Sequence, residues 1–286
     1  MPDVSIFDSH VHLWDPDHFE IPWLRNVPAI NRKRDLDDFR EATAGLAIEG
    51  IVYLQVEVAP PYALLEARDL VAMVRAGTLV KAVVAWAPLE YGERCRAFLA
   101  EMNAIGPEVR GIRRIVQDIA DPNYCLQPDF VRGTQLLPEY GLSCDLCCNF
   151  RQLGPIVELV RQCPETQFIL DHIAKPNITE GAFEPWASQM RDLAALPNVM
   201  CKISGVLTEA PHDGWTIEQV RPFAMHALNV FGPERSVFGS DWPVVTLTAS
   251  YLEWVAVLDE LTADWSAADK AKLWRENAKR HYRIDS

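Results

Sequence analysis

The feature that most constrains the fold of this 286-residue chain is an eightfold alternation between short apolar runs and helix-length amphipathic segments. The runs are VSIFDS (4–9), IVYLQVEV (51–58), LVKAVVAWA (79–87), VRGIRRIV (109–116), LSCDLCC (142–148), TQFILDH (166–172), NVMCKIS (198–204) and RSVFGSD (235–241). After each one, apolar residues recur at i, i+3, i+4 and i+7, over about 36–48, 63–76, 92–104, 128–139, 152–163, 184–195, 217–231 and 248–262. Strands this apolar cannot leave one face in water, so they belong to a parallel sheet covered by helices. Closure satisfies eight such units most economically. The chain is therefore expected to be one α/β domain over 1–286, a TIM-type (β/α)8 barrel.

A ninth helical pattern, WSAADKAKLWRENAKRHY (265–282), starts with Ser266 three residues before Asp269, close to a capping box, and is expected to close the barrel from outside. The first connection, from Leu13 to Leu36, is long, aromatic and proline-rich, a character that βα loops with a function share.

Composition removes several function classes. The formal charge is −13, and the densest basic stretch, NRKRD (31–35), is short and followed at once by Asp37 and Asp38, so nucleic acid is not an expected partner. No run approaches the roughly 18 apolar residues of a membrane span, and the N-terminus lacks the charged start and apolar core of a signal peptide; a cytoplasmic protein is expected. Cysteines 95, 125, 144, 147, 148, 163 and 201 lie in apolar contexts and read as reduced, buried thiols. Cys144 and Cys147 form a CxxC by count, but no second CxxC exists to complete a zinc knuckle.

The chemistry concentrates at strand ends. His10 and His12 close the first strand, and residues i and i+2 share a face, so both imidazoles should enter the barrel at its C-terminal rim, where they can share a metal or grip a carbonyl. His172 and Asp241 each terminate a strongly apolar strand, where an unpaired polar group would be costly. Arg113 and Lys202, inside otherwise apolar strands, read as substrate anchors. Trp14, Trp23 and Trp242 are candidates for an apolar wall against a sugar ring, and Gln55 and Glu57 for further substrate contacts.

With HxH closing strand one, a His closing strand six and an Asp closing strand eight, the chain resembles the amidohydrolase superfamily. HVHLWDP, PWL, GIR (111–113), LDHIAKP (170–176), KISG (202–205) and FGSDWPV (238–244) are similar to its amidohydrolase-2 lactonase branch, as is the C-terminal RENAKRHYRI. The resemblance implies hydrolysis of a sugar lactone or related cyclic ester. Where the superfamily's binuclear members place a bridging Lys or Glu on strand four and a His on strand five, this chain has arginines and then Asp145 with cysteines, so a two-metal centre is not expected. Two routes stay open, one with a single zinc-type divalent ion on His10, His12 and Asp241 and one without metal.

In either route Asp241 would take a proton from the attacking water and return it to the ring oxygen, while His10 and His12 polarise the carbonyl and His172 orients the water or ester. Arg113, Lys202 and Glu57 suit a polyhydroxylated aldonolactone, such as a fucono- or rhamnonolactone, better than a dicarboxylate. The competing readings are a zinc-dependent decarboxylase of an aromatic acid and a non-catalytic sugar-binding barrel. Lactone opening releases acid whereas decarboxylation consumes a proton, which separates the first two. The oligomeric state is not legible in the sequence.

Overall fold

The computed structural model describes residues 1–284. Eight strands form one parallel sheet in chain order, β1 (Ile6–Val11), β2 (Ile48–Leu54), β3 (Val80–Ala85), β4 (Val109–Arg113), β5 (Ser143–Leu146), β6 (Phe168–Leu170), β7 (Val199–Ile203) and β8 (Ser236–Phe238). Helices α1 (Leu36–Ala42), α2 (Ala63–Arg75), α3 (Cys95–Ile105), α4 (Pro128–Leu136), α5 (Leu153–Gln162), α6 (Trp186–Ala194), α7 (Ile217–Arg235) and α8 (Tyr251–Leu261) follow their strands one by one. This is the expected (β/α)8 barrel. All residues of β1, β5, β6, β7 and β8 are buried, as their two-sided apolar character requires.

The barrel closes just beyond the last strand. Val11 and Trp242 form a parallel bridge, His12 N donates to Trp242 O at 2.8 Å, and Asp241 N donates to His10 O at 2.9 Å. The closure seam therefore runs through the segment that carries the HxH pair and Asp241. A register irregularity between Asp8 and Val11 sits at the same seam, where the Asp8 carboxylate accepts from His10 N and Ser240 N.

Several expected strands stop early. The reading of TQFILDH and RSVFGSD as strands to their last residue gives way to β6 ending at Leu170 and β8 at Phe238. Beyond β6 the chain takes left-handed backbone at His172, Ile173, Ala174 and Lys175, and Asp241 and Glu57 do the same beyond β8 and β2. Positive φ at bulky residues marks strain that surrounding structure must hold, and such strain concentrates at functional sites.

The C-terminal pattern also departs from expectation. It forms α9 (Ala267–Ala271), a single π turn at Lys272–Glu276 and α10 (Asn277–His281), with Ser266 Oγ capping the start by accepting from Asp269 N. This segment packs against β1 and β8 and also enters the barrel. Ala278 and Tyr282 join the interior cluster of Phe7, Val52, Leu54, Ala82, Val84, Ile169 and Val237, so the tail fills the barrel's lower half rather than only lying outside it. Among the described residues no helix is long and apolar enough to cross a membrane. All seven cysteines are free and buried, as read from their apolar contexts.

Candidate active site

A cavity of about 350 Å³ opens at the C-terminal ends of the strands, with His12, His172 and Asp241 on its floor. Asp241 Oδ1 lies 3.3 Å from His12 Nε2, 3.6 Å from His10 Nε2 and 3.9 Å from His172 Nε2, and the two Nε2 atoms of the HxH pair are 3.2 Å apart. The four residues singled out at strand ends thus converge on one carboxylate oxygen. His10 is fully buried beneath the others and does not reach the cavity wall, so of the pair only His12 meets the solvent-facing side.

Hydrogen bonds orient these rings. His12 Nδ1 lies 2.8 Å from Leu54 O, and since a carbonyl only accepts, the ring carries its proton there and aims the Nε2 lone pair inward. Arg113 Nη1 lies 3.1 Å from His10 Nε2, and a guanidinium only donates, so this nitrogen also presents a lone pair. His172 Nδ1 meets Ser204 Oγ at 3.0 Å. Two glycines make the packing possible: a Cβ at Gly205 would lie 2.6 Å from His172 Nδ1, and one at Gly239 would lie 2.9 Å from His10 Cβ.

Burial pushes the His172 imidazole down to about 4 and lowers His10 and His12 as well, so all three are neutral near pH 7. Burial would raise Asp241, but the surrounding rings, His172 before the others, hold the carboxyl below its usual range whenever one of them carries a proton. Two imidazole lone pairs and a carboxylate oxygen, 3.2 to 3.6 Å apart, have no proton between the two rings. Ligand atoms about 2.1 Å from a tetrahedral zinc ion stand roughly 3.4 Å apart, so His10, His12 and Asp241 fit one such ion.

Other expected site residues are distributed unevenly. Arg113, Trp23 and Glu57 line the cavity. Gln55 is buried below the rim, where its Nε2 donates to Glu57 Oε1 at 3.0 Å. Lys202 does not stand at the mouth as an anchor. It is fully buried, with Nζ 2.6 Å from Asp145 Oδ2 and 2.9 Å from Asp171 Oδ1, because a cation on an inward-facing position deep in the barrel needs carboxylate partners. Trp14 and Trp242 are likewise not part of the wall. Trp14 Nε1 donates to Arg32 O and ties down the first loop, while Trp242 packs edge-on against Phe39 in the core. Trp23 donates to Val56 O at 2.7 Å and alone of the three faces the cavity.

Sequence reasoning missed Asp171, Arg114 and Lys175. Asp171 follows β6 with the inward parity of Ile169, a signal masked by the adjacent His172. Arg114 is clamped by Glu90 at 3.0 to 3.2 Å, and Lys175 meets Glu209 at 3.6 Å. The left-handed run that brings Lys175 to the cavity has no periodicity that a sequence reading could use.

The amidohydrolase family model matches residues 7–284, nearly the whole chain. The chain belongs to the amidohydrolase family. This amidohydrolase is 31% identical to an L-fucono-1,5-lactonase of Burkholderia ambifaria over 97% of its own length and 95% of the relative's. It is 24% identical to an L-rhamnono-gamma-lactonase of Scheffersomyces stipitis, covering 99% of this chain and 100% of that one. Among solved structures it resembles a Burkholderia multivorans amidohydrolase crystallised with bound zinc, at 29% identity and a TM-score of 0.88, over 99% of this chain and 100% of that one.

Proposed function

We propose that this amidohydrolase opens a neutral, polyhydroxylated sugar lactone to its aldonic acid. The observation that carries the reading is the pairing of the Asp241 carboxyl, 3.3 to 3.9 Å from three imidazoles, with a cavity whose cations are already matched. Arg113 faces Asp171 at 3.3 Å, Arg114 is held by Glu90 and Lys175 by Glu209. Glu57, by contrast, lines the cavity and has no cation within ion-pairing distance among the described residues; its carboxylate accepts from Gln55 Nε2 at 3.0 Å. A wall with spare acceptors favours hydroxyl donors and disfavours a substrate carrying several negative charges. The relatives named as sugar lactonases support the same class.

Asp241 accepts the proton of a water that attacks the lactone carbonyl, and the same carboxyl then protonates the departing ring oxygen. His172, 3.9 Å from the same carboxylate oxygen, positions that water. Arg113 and Lys175 offer positive charge to the developing oxyanion. His10, His12 and Asp241 would hold one divalent ion, which when bound supplies Lewis-acid polarisation of the carbonyl. Trp23 gives the ring an apolar face.

A panel assay with a pH indicator tests the reading. Acid release is expected from aldonolactones, including fucono- and rhamnonolactones, and much less from lactones bearing carboxylates. Absence of acid release from every lactone, or proton uptake with CO2 from an aromatic acid, would replace this reading with the decarboxylase alternative or a binding role.

A further inference from the structure

Beneath the catalytic cluster lies a second charged layer that does not touch the cavity. Its centre is the Lys202 ammonium, fully buried on β7. Its N–H donors face two carboxylates, Asp145 Oδ2 at 2.6 Å and Asp171 Oδ1 at 2.9 Å. His10 Nδ1 lies 3.3 Å from Nζ and 3.4 Å from Asp171 Oδ1, toward which its proton points. Once the His10 Nδ1 proton is released, as metal binding requires of a ligand, two carboxylates and an imidazole are the donor set that a divalent ion of the zinc type selects. The other oxygen of Asp171 meets Arg113 Nη1 at 3.3 Å, so two fixed positive charges balance the two carboxylates. Tyr282, from the tail just after α10, completes the layer. Its hydroxyl donates to Asp145 Oδ2 at 2.6 Å and its ring lies 5.6 Å from Lys202 Nζ.

We propose that Lys202 is a built-in replacement for a second metal ion, an ammonium fixed at a Asp145, Asp171 and His10 site and locked in place by Tyr282. The chain therefore takes at most one divalent ion, through the outward side of His10 together with His12 and Asp241. His10 is the shared element, with Nε2 toward the reaction centre and Nδ1–H toward the Asp171 carboxylate that Lys202 pairs with. This inference concerns the buried layer and does not depend on which substrate the cavity takes.

Metal counting tests it. The full chain and its Lys202→Ala and Lys202→Arg variants are stripped with a chelator, equilibrated with excess Zn²⁺, desalted and analysed for zinc per chain, with circular dichroism and melting followed with and without the metal. Wild type and Lys202→Arg are expected to hold the same number, no more than one. Lys202→Ala, which removes the cation and opens its volume, is expected to hold one ion more and to gain more thermal stability from Zn²⁺ than wild type does. If Lys202→Ala folds only when refolded with Zn²⁺, the metal has taken the place of the ammonium and the proposal stands. Two ions on the wild type would overturn it. So would a folded Lys202→Ala with the wild-type count, or a variant that stays unfolded with and without Zn²⁺ while Lys202→Arg folds.

Discussion

Asp241 holds a left-handed backbone conformation, φ 60°, while its carboxylate sits among three imidazoles. Both features point to a side chain placed for chemistry rather than for packing. Asp241→Asn keeps the shape and removes the base, so hydrolysis should fall by about 10²-fold or more with an unchanged circular dichroism spectrum; retention of a tenth of wild-type kcat would argue against the base role. Glu57 should act differently, through hydroxyl contacts made equally in ground and transition states. Glu57→Gln is expected to raise KM for hydroxylated lactones by about 10-fold with little change in kcat, and to leave a bare lactone unaffected. The four residues proposed for catalysis were legible as a group because a polar residue ending an apolar strand stands out against its neighbours. Lys202 stood out in the same way within an apolar strand, but sequence does not show depth in the barrel, and there it is a buried ion pair rather than a mouth-facing anchor.

At the scale of elements, the loop after β2 depends on a buried acid. Glu66 on α2 accepts from Tyr53 Oη at 2.7 Å and from Val56 N at 2.9 Å, which fixes the backbone just before Glu57. Burial raises Glu66 to about 7 despite those two hydrogen bonds, against an ordinary value of 4.5. The folded protein therefore keeps a proton that the unfolded chain has released. The stability this contributes is present below the unfolded value and is lost as pH rises through about 7. Melting curves of wild type and Glu66→Gln between pH 5 and 8 should show wild type losing ground steadily to the variant; parallel curves would contradict the linkage. The tail makes a second element-scale claim. Tyr282→Phe removes one donor from the buried Asp145 carboxylate and should cost about 1–3 kcal/mol in urea unfolding, whereas a purely external strap would lose nothing measurable. Periodicity revealed this helix and Ser266 its start, but the π turn at Lys272–Glu276 and the inward path of Tyr282 follow from packing that no local pattern records.

For the whole molecule, the eightfold alternation was enough to read the barrel, because two-sided burial leaves parallel strands under helices as the arrangement that satisfies every run. The closure seam was not legible, since it is made by the bridge of Val11 with Trp242 and by the Asp8 carboxylate, neither of which belongs to a repeating pattern. That seam unites the first and last strands and gathers His10, His12 and Asp241 from opposite ends of the chain. The same global arrangement sets the charge of the cavity, whose cations Arg113, Arg114 and Lys175 each have an acidic partner in a protein of net charge −13. The most direct test of the account is therefore kcat/KM, measured by acid release under identical conditions, for a neutral aldonolactone and for a lactone of the same ring size bearing carboxylates. The neutral sugar lactone should be favoured by at least about 10-fold, the equivalent of one charge-assisted contact of about 1.4 kcal/mol. Equal rates, or a preference for the carboxylated ring, would contradict it.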